Sequence, residues 1–424
     1  MKLLIKNGRT VHPVTGAVLK QDLLIEDRKI SMLAEDLDVK ADEVIDATGL
    51  VIAPGLVDMH VHLRDPGFTY KEDIITGTAA AAKGGVTAVV CMANTKPALD
   101  CPEQLAYVKE RAKEGSGVRV YPVGAVTRGL QGQEPTDAEE LKDAGAIALS
   151  DDGVNVDNAN LMRDTLIRAK RLNMPVLCHC EDTKMVENRA VNEGSVSRQL
   201  WLEGRPAIAE EIVVMRDAML AEETGAHLHV QHISTAKSVD IVRKMKKKGV
   251  NITCETCPQY FTLTENEVLT QGSMARVNPP LRTAKDVQGI IAGLKDGTID
   301  CIATDHAPHS AEEKARSLVK APSGMVGLET SLAITLTELY HTGRMTLPDI
   351  IRRMTTNPSE ILHLAGGRMA LGVPADLTIF DPDEEWIIDP EQFVSKGRNT
   401  PFAGKKVKGR VKYTIVRGKV IYHE

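Results

Sequence analysis

Eight runs of apolar residues constrain the fold of this chain more than any other feature, because each run ends in polar residues and is followed by a helix-like segment. Residues 73–83 and 102–114 are two of these helical segments. Strands that alternate with helices indicate a parallel sheet, and eight repeats are typical of a (β/α)8 barrel. We therefore predict an α/β fold built on a (β/α)8 TIM barrel. The apolar runs are residues 55–62, 86–94, 118–126, 146–152, 174–181, 227–234, 250–257 and 299–309.

The first run ends in the segment Asp58-Met-His-Val-His-Leu-Arg64, which carries two histidines two positions apart. Residues i and i+2 of a strand share one face, so His60 and His62 point in the same direction. Two imidazoles at a strand end form half of a site for a first-row metal, and zinc often takes such nitrogen ligands. The pair alone is not specific, because surface strands also carry two histidines by chance.

Polar side chains at the ends of other runs make the metal hypothesis more specific. The βα loops of a barrel gather at the carboxyl ends of its strands, so these residues fall on the predicted catalytic rim. Four histidines and two carboxylates are enough to hold two divalent ions, which commonly lie about 3.5–4 Å apart and share an activated hydroxide. The six residues are His60, His62, Asp152, His179, His232 and Asp305.

With these residues, the chain resembles the amidohydrolase superfamily and, within it, the dihydroorotases of the long-chain (class I) bacterial type. The resemblance extends over essentially the whole chain. The motifs that carry it are Asp58-Met-His-Val-His-Leu-Arg64, Met92-Ala-Asn-Thr-Lys-Pro97, Ser150-Asp-Asp-Gly153, Cys178-His-Cys-Glu181 and Asp305-His-Ala-Pro-His309.

The resemblance implies two zinc ions bridged by an aspartate and a hydroxide. Many relatives use a carboxylated lysine as the bridge, but the fourth run ends Ala148-Leu-Ser-Asp-Asp-Gly153 without a lysine, which argues against hydantoinases. Asp151 is the alternative to Asp152, and adjacent strand residues point to opposite faces. The family motif favours Asp152. The implied ligands are His60, His62 and Asp305 for one zinc, His179 and His232 for the other, and Asp152 for both.

The implied activity is reversible interconversion of N-carbamoyl-L-aspartate and L-dihydroorotate in pyrimidine (UMP) synthesis. A metal lowers the pKa of bound water to about 7, so a hydroxide nucleophile exists at neutral pH. Asp305 takes the proton from this hydroxide and returns it to the leaving ring nitrogen, which is the role of a general acid and base.

Arg64 is the most informative residue for substrate choice, because a guanidinium can hold a carboxylate with two parallel hydrogen bonds. The resemblance adds Asn94 and His309 as partners for the carboxylate of dihydroorotate. It also places Asn278 and main-chain groups near Ser323 and Gly324 at the substrate ring. Relatives more often carry an aromatic residue where this chain has Ser323.

Structural roles remain open for several of these residues. Arg64 could form an ion pair at the barrel rim, Asn94 could cap the second helix, and His309 could be exposed in its polar loop. His227, His229 and His306 are expected to be structural, with His306 orienting its neighbours. These last three are therefore not predicted ligands.

Composition excludes several classes of function. A net charge of −6 and an aromatic content of 3% disfavour nucleic-acid binding, which needs basic patches and stacking surfaces. The chain has seven cysteines, an odd number that suggests a reducing compartment, and Cys254-Glu-Thr-Cys257 is half a structural zinc site or simply packing. No segment reaches transmembrane length. We expect a cytoplasmic enzyme.

The β-rich ends of the chain predict a second, smaller domain. We expect residues 1–53 and 368–424 to form one composite β-sandwich domain and residues 54–367 to form the catalytic barrel. The long loop 306–327 is expected to cover the site partly. The resemblance implies a homodimer and allows association with aspartate carbamoyltransferase. The alternatives to a dihydroorotase are an allantoinase or hydantoinase and a noncatalytic scaffold for that partner.

Overall fold

The computed structural model describes residues 2–424. Its first seven elements are short strands. Leu3 and Ile5 of the first strand pack in one apolar cluster while Leu4, on the other face, packs with Leu24 and Leu37, so both faces of this strand are covered. The strands are β1 (Leu3–Lys6), β2 (Arg9–His12), β3 (Ala17–Lys20), β4 (Asp22–Glu26), β5 (Lys29–Ala34), β6 (Glu43–Asp46) and β7 (Val51–Pro54).

Parallel strands then form the barrel. The barrel ladders run β8-β9-β10 and β11-β14-β15-β16, while β12 and β13 form a separate two-stranded sheet outside the barrel. The strands are β8 (Leu56–Val61), β9 (Val86–Cys91), β10 (Arg119–Pro122), β11 (Val176–Cys178), β12 (Val191–Asn192), β13 (Gly204–Arg205), β14 (Leu228–Val230), β15 (Ile252–Thr256) and β16 (Cys301–Ile302).

At the fourth strand position of the barrel, isolated β-bridges replace a continuous strand. Leu149 forms parallel bridges to Gly124 on one side and to Val176 on the other. The barrel closes where the backbone N–H of His62 donates to the carbonyl of His306 at 2.8 Å. The predicted α/β barrel is therefore confirmed, although the hydrogen-bonded strands are shorter than the apolar runs because residues at the carboxyl ends turn out of the ladder.

Helices follow the barrel strands and pack around them. Side-chain caps define several of their starts, as at Asp73, whose carboxylate accepts the Thr76 N–H at 2.8 Å. The helices are α1 (Ile74–Lys83), α2 (Pro102–Ala112), α3 (Ala138–Ala144), α4 (Ala159–Arg171), α5 (Thr183–Val186), α6 (Ser195–Gln199), α7 (Ile208–Thr224), α8 (Ala236–Lys247), α9 (Pro258–Thr262), α10 (Glu267–Gln271), α11 (Ala284–Asp296), α12 (Ala311–Lys314), α13 (Ser331–Thr335), α14 (Leu347–Met354) and α15 (Thr356–Ile361).

Shorter turns complete the helical segments: the 3-10 turns are Arg128–Leu130, Gly272–Ala275 and Pro390–Gln392, and Leu336–Tyr340 is a π-helical continuation of α13. No helix within residues 2–424 has the length and apolarity needed to cross a membrane.

The last strands return to the first ones. They are β17 (Leu377–Ile387), β18 (Lys406–Val416) and β19 (Lys419–His423). Strand β17 pairs antiparallel with β7, which gives a six-stranded sheet in the order β19-β18-β17-β7-β2-β3 beside a four-stranded sheet in the order β5-β4-β1-β6. One apolar cluster contains Ile5 and Ile25 from the smaller sheet and Ile52, Leu377 and Ile415 from the larger one. The two ends of the chain thus share a core.

Candidate active site

The metal-capable residues predicted from the sequence meet at the carboxyl ends of the barrel strands. His60 lies on β8 and the others follow a strand or the Leu149 bridges, so the barrel sets the position of each. All six are buried, so bulk water does not compete with a metal ion for their ligand atoms. They are His60, His62, Asp152, His179, His232 and Asp305.

Two carboxylates face His60 and His62. Asp305 Oδ1 lies 3.0 Å from His62 Nε2 and 3.6 Å from His60 Nε2. Asp152 presents one oxygen to each ring, with Oδ1 at 3.4 Å from His60 Nε2 and Oδ2 at 3.5 Å from His62 Nε2. Each carboxylate therefore contacts both imidazoles.

The other two histidines approach Asp152 from the far side. His232 Nε2 lies 3.5 Å from Asp152 Oδ1, and His179 Nδ1 lies 3.9 Å from the same oxygen and 2.8 Å from His232 Nε2. Two groups among residues 2–424 bring ligand atoms close enough to hold a metal ion: His60 with His62 and Asp305, and His60 with Asp152 and His232. His60 belongs to both groups, whereas the resemblance gave it to one zinc, and His179 belongs to neither.

Hydrogen bonds behind the rings show that this donor set fits a cation. The Nδ1 atom of His60 donates to Glu255 Oε1 at 2.6 Å, and that of His62 donates to Asn94 Oδ1 at 2.9 Å. With these protons on Nδ1, both Nε2 atoms turn lone pairs toward carboxylate oxygens. Lone pairs that face carboxylates repel, so either a second proton or a metal ion has to lie between them.

Atoms without hydrogen bonds support the same conclusion. His60 Nε2, Asp152 Oδ1 and His232 Nδ1 are buried and have no hydrogen-bond partner. Such orphaned buried atoms are rare, and a bound cation would satisfy their lone pairs. Burial lowers the pKa of His60, but the charges of Asp152 and Glu255 outweigh it and hold this pKa well above its usual range. A positive charge is therefore favoured at this position.

Asp151 and Asp152 face different surroundings, as expected for neighbouring residues. Asp151 Oδ1 accepts the backbone N–H groups of Val126 at 2.8 Å and Thr127 at 3.0 Å, and its other oxygen accepts the Thr127 hydroxyl. Burial raises the pKa of Asp152, but His60 and His232 lower it well below its usual range. The geometry thus turns Asp152 toward the histidines and gives Asp151 a structural set of partners.

Three residues of the site hold left-handed backbone conformations. The φ angles are 60° at Arg64, 31° at His232 and 50° at Asp305. Such conformations are uncommon outside glycine and cost about 1–3 kcal/mol each. They persist here because the barrel fixes the chain on both sides, and they aim the three side chains into one space.

Arg64 lies beside the loop that follows the last barrel strand. Its Nε donates to the Pro308 carbonyl at 3.2 Å, and its Nη2 lies 3.3 Å from His309 Nε2. That nitrogen of His309 carries a proton, because it donates to the Ser323 carbonyl at 2.8 Å. Burial and the nearby charges of Arg64 and Lys71 lower the pKa of His309 to about 2. A neutral imidazole and a cationic guanidinium therefore stand side by side, and His309 is not exposed.

The two asparagines contact metal-capable residues from either side. Asn94 accepts from His62 and donates to the Asp152 carbonyl at 3.1 Å, so it does not cap the second helix. Asn278 Nδ2 lies 3.4 Å from His179 Nε2, and its oxygen accepts from Arg205. Asn94 and Asn278 thus contact the cluster directly, whereas the other predicted substrate-side residues, Arg64, Ser323 and Gly324, are grouped around His309.

The loop 306–327 is tied down by side chains that sequence patterns did not reveal. Lys314 Nζ donates to the carbonyls of Pro322 and Gly324, both at 3.1 Å, and of Arg276 at 3.3 Å. Its side chain is only 1% exposed, which is exceptional for a lysine. Asn399 also donates to the Gly324 carbonyl, at 3.0 Å.

Glu255 is the other residue that the sequence analysis missed. It is fully buried on β15 and accepts from both His60 and His229. The available signal was an acidic residue at the end of a barrel strand, between Cys254 and Cys257, but its partners His60 and His229 lie on other strands. Cys254 and Cys257 are buried free thiols and belong to no metal-capable group within residues 2–424.

Known proteins resemble this chain over its whole length. A family model described as Dihydro-orotase-like matches residues 49–238. A protein named dihydroorotase from Pelotomaculum thermopropionicum is 48% identical over 424 residues, which covers 100% of this chain and 99% of that protein. Another dihydroorotase, from Clostridioides difficile, is 47% identical over 422 residues and covers 99% of this chain and 100% of its own.

Solved structures share the fold. An L-hydantoinase (dihydropyrimidinase) from Arthrobacter aurescens superposes with a TM-score of 0.90 at 26% identity, covering 99% of this chain and 96% of that one. A dihydropyrimidinase from Brevibacillus agri gives a TM-score of 0.87 at 26% identity, covering 100% and 95%.

A barrel with these neighbours and this cluster of histidines and carboxylates is an amidohydrolase, the class of hydrolases that act on cyclic amides. Identity over nearly the whole chain then decides among the branches of that class. The chain belongs to the dihydroorotase family.

Proposed function

We propose that this protein catalyses the reversible interconversion of N-carbamoyl-L-aspartate and L-dihydroorotate, the dihydroorotase step of de novo pyrimidine synthesis, and that it is of the long-chain class I type. The observation that carries the proposal is its identity of 45–48% to dihydroorotases over nearly full length. The site supports it, because a cationic anchor stands beside a cluster of metal-capable side chains.

The metal ions we propose are two Zn2+. Bound there, they would supply a water whose pKa is lowered to about 7 as the nucleophile and would polarise the amide carbonyl. Asp152 supports two ions, because its carboxylate lies 3.4 Å from His60 Nε2, in the set proposed for one zinc, and 3.5 Å from His232 Nε2, in the set proposed for the other. The proposed ligands are His60, His62, Asp152, His179, His232 and Asp305.

Asp305 is the proposed proton carrier. Hydrolysis adds water across the ring C–N bond, so one proton must leave the attacking water and one must reach the leaving nitrogen. A single carboxylate does both when it lies within hydrogen-bonding reach of both atoms. Asp305 belongs to one of the two metal-capable groups, with its Oδ1 3.0 Å from His62 Nε2. In ring closure the same carboxyl carries the proton in the opposite direction.

The substrate carboxylate is assigned to Arg64, Asn94 and His309. With Nε of Arg64 bound to Pro308, its Nη groups remain as donors for two parallel hydrogen bonds to a carboxylate. We assign the ring to Asn278 and to the main chain at Ser323 and Gly324. The small Ser323 side chain accepts from Arg276 Nε at 3.2 Å, so it is held away from the ring position.

Two alternatives differ in substrate or in catalysis. A hydantoinase-type cyclic amidase is suggested by the solved neighbours, but hydantoin has no carboxylate for Arg64 to bind, and the fourth barrel position carries no lysine. A noncatalytic scaffold for aspartate carbamoyltransferase is disfavoured because all six metal-capable side chains are present and buried together.

We also propose a cytoplasmic homodimer with a composite β-sandwich domain of residues 1–53 and 368–424 and a catalytic barrel of residues 54–367. Pairing of β7 with β17 supports this division. Association with aspartate carbamoyltransferase is part of the same proposal. Light scattering of the protein alone and mixed with that enzyme tests both assemblies.

The deciding experiment is turnover of L-dihydroorotate by zinc-reconstituted protein, with hydantoin and allantoin as parallel substrates and Asp305→Ala as the control. We expect turnover of dihydroorotate alone, abolished by the substitution. Turnover of a ring without a carboxylate would contradict the assignment of Arg64. No turnover with metal bound would favour the scaffold.

A further inference from the structure

Glu255 connects ligand residues of both metal-capable groups. Its Oε1 accepts the Nδ1–H of His60 at 2.6 Å and the backbone N–H of His232 at 3.4 Å. His60 is shared by both groups, and His232 completes the second. One buried carboxylate therefore sets the orientation of one ligand ring and the backbone position of another.

The second oxygen of Glu255 begins a chain of hydrogen bonds that leads away from the site. Glu255 Oε2 lies 3.3 Å from His229 Nε2, His229 Nδ1 lies 2.8 Å from Thr253 Oγ1, and that hydroxyl lies 2.9 Å from His227 Nε2. His227 and Thr253 lie in a cleft with Asn251 at the amino ends of the barrel strands. The chain thus runs from a ligand residue to the opposite end of the barrel.

The charge of Glu255 sets the direction of the hydrogen bonds that its carboxylate makes to the two imidazoles. A carboxylate only accepts, so His60 Nδ1 and His229 Nε2 both carry protons. The Thr253 hydroxyl lies between His229 Nδ1 and His227 Nε2, so it can donate to one ring and accept from the other. With the Nδ1 of His60 occupied by Glu255, Nε2 is the nitrogen of His60 that faces Asp152 and Asp305 and is the one available to a metal ion.

An uncompensated charge in this position would be strongly destabilising, because burial of an ion requires paired hydrogen bonds. Glu255 is 0% exposed and meets this need with two imidazole N–H groups and one backbone N–H. Satisfied buried networks of this kind hold a single arrangement of their members. A ring anchored from behind in this way keeps one tautomer and one orientation.

We propose that Glu255 is a positioning residue of the metal site, which fixes His60 as an Nε2 ligand and locates the backbone of His232, with His229, Thr253 and His227 holding Glu255 in place. The inference rests on the proposed binding of metal to this cluster. It adds a role for the seventh barrel strand, which contributes no ligand.

The test compares zinc affinity in the full-length wild type, Glu255→Gln and Thr253→Val, by competition with a chromogenic chelator. Glutamine keeps the shape of the Glu255 side chain but has only one acceptor oxygen. Its NH2 group would face an N–H of one of the two histidines, and two donors cannot form a hydrogen bond. We expect the zinc dissociation constant of Glu255→Gln to rise about 10–100-fold, as for other residues behind metal-bound histidines. Thr253→Val removes the third hydrogen bond of the series that begins at His60. Because this bond is farther from the metal site, we expect the zinc dissociation constant to rise less than about threefold.

Two further measurements separate positioning from a merely structural role. The melting temperature of each metal-free protein reports the structural cost, while the rise on adding zinc reports binding. We expect Glu255→Gln to show a smaller rise than wild type. We also expect the visible spectrum of its cobalt-substituted form to differ, because cobalt reports ligand geometry. Glu255→Asp, which keeps the charge but withdraws the oxygens, is the second variant and should also weaken zinc binding.

The outcomes distinguish the two levels of the proposal. A wild-type protein that does not bind zinc would overturn the proposed metal site and the inference together. Tight zinc binding by the wild type, with dissociation constants and cobalt spectra unchanged in folded Glu255 variants, would overturn the inference alone and leave the proposed function in place.

Discussion

His62 and Asn94 are joined by a 2.9 Å hydrogen bond from the ring Nδ1 to the amide oxygen, and the amide nitrogen of Asn94 also reaches the Asp152 carbonyl. Asn94→Ala removes both bonds. We expect kcat/KM for L-dihydroorotate to fall at least about 100-fold, because the substitution removes both the hydrogen bond that orients the His62 ring and the proposed contact of Asn94 with the substrate. Steady-state kinetics with zinc at saturation measures this. Thr95→Ala, whose hydroxyl bonds Pro97 instead, is the matched control and should stay near wild type.

Arg64→Lys tests the anchor for the substrate carboxylate. Lysine keeps the charge but cannot form two parallel hydrogen bonds, so we expect KM for dihydroorotate to rise at least about 10-fold with a smaller change in kcat. Arg128, an exposed arginine paired with Glu134, provides the control as Arg128→Lys. Equal KM values for wild type and Arg64→Lys would show that the guanidinium contacts only Pro308 and His309.

Gly324 occupies a position that excludes a side chain. Its φ is +134°, and an added Cβ would lie 2.7 Å from Ala307 Cβ and 2.9 Å from Ala307 O. We expect Gly324→Ala to lower the free energy of unfolding by about 2–4 kcal/mol, from backbone strain and overpacking together. Gly343→Ala is the control, because its φ of +68° carries strain but no atom lies within 4 Å. Its cost should be about 1 kcal/mol. Urea unfolding that ranks the two variants equally would contradict the packing argument.

Lys314 makes the stability of the protein depend on pH. Burial lowers the pKa of Lys314 to about 7 from 10.5. Between these values the unfolded chain binds more protons than the folded one, so this residue makes stability rise as pH increases from about 7 toward 10.5. We expect the unfolding free energy of wild type minus that of Lys314→Met to grow between pH 7 and pH 9, by at most about 1.4 kcal/mol per pH unit. A constant difference would mean that the three carbonyls keep the lysine charged throughout.

Thiol reactivity should distinguish one cysteine from the other six. Cys101 is partly exposed, and the others are buried. Burial raises the pKa of Cys91 to about 12 and that of Cys257 well above its usual range, so these thiols do not form thiolates at neutral pH. We expect a thiol reagent to label about one cysteine in the folded protein and all seven in denaturant. Cys101→Ser should then show almost no rapid labelling, and rapid labelling that persists would place another thiol at the surface.

The clustering of residues at strand ends was predictable from the sequence, because the carboxyl ends of all barrel strands lie on the same rim. His60 therefore meets Asp152 and His232 in one group and Asp305 in the other, although these residues are far apart in the chain. The length of the fourth strand was not predictable, because only Leu149 of its apolar run forms bridges. Glu255 was missed because its partners come from two other strands. Lys314 was missed because the carbonyls that hold it belong to separate segments.

The antiparallel pairing of β7 with β17 also constrains how the molecule is made. The backbone N–H of Leu56, at the entrance to the barrel, donates to the hydroxyl of Thr378, 322 residues later in the chain. A nascent chain on the ribosome cannot form this contact until nearly all of the protein has been synthesised. The edge of β7 that pairs with β17 therefore stays open while the barrel is synthesised, and an open strand edge of this kind favours misassembly until the last strands arrive.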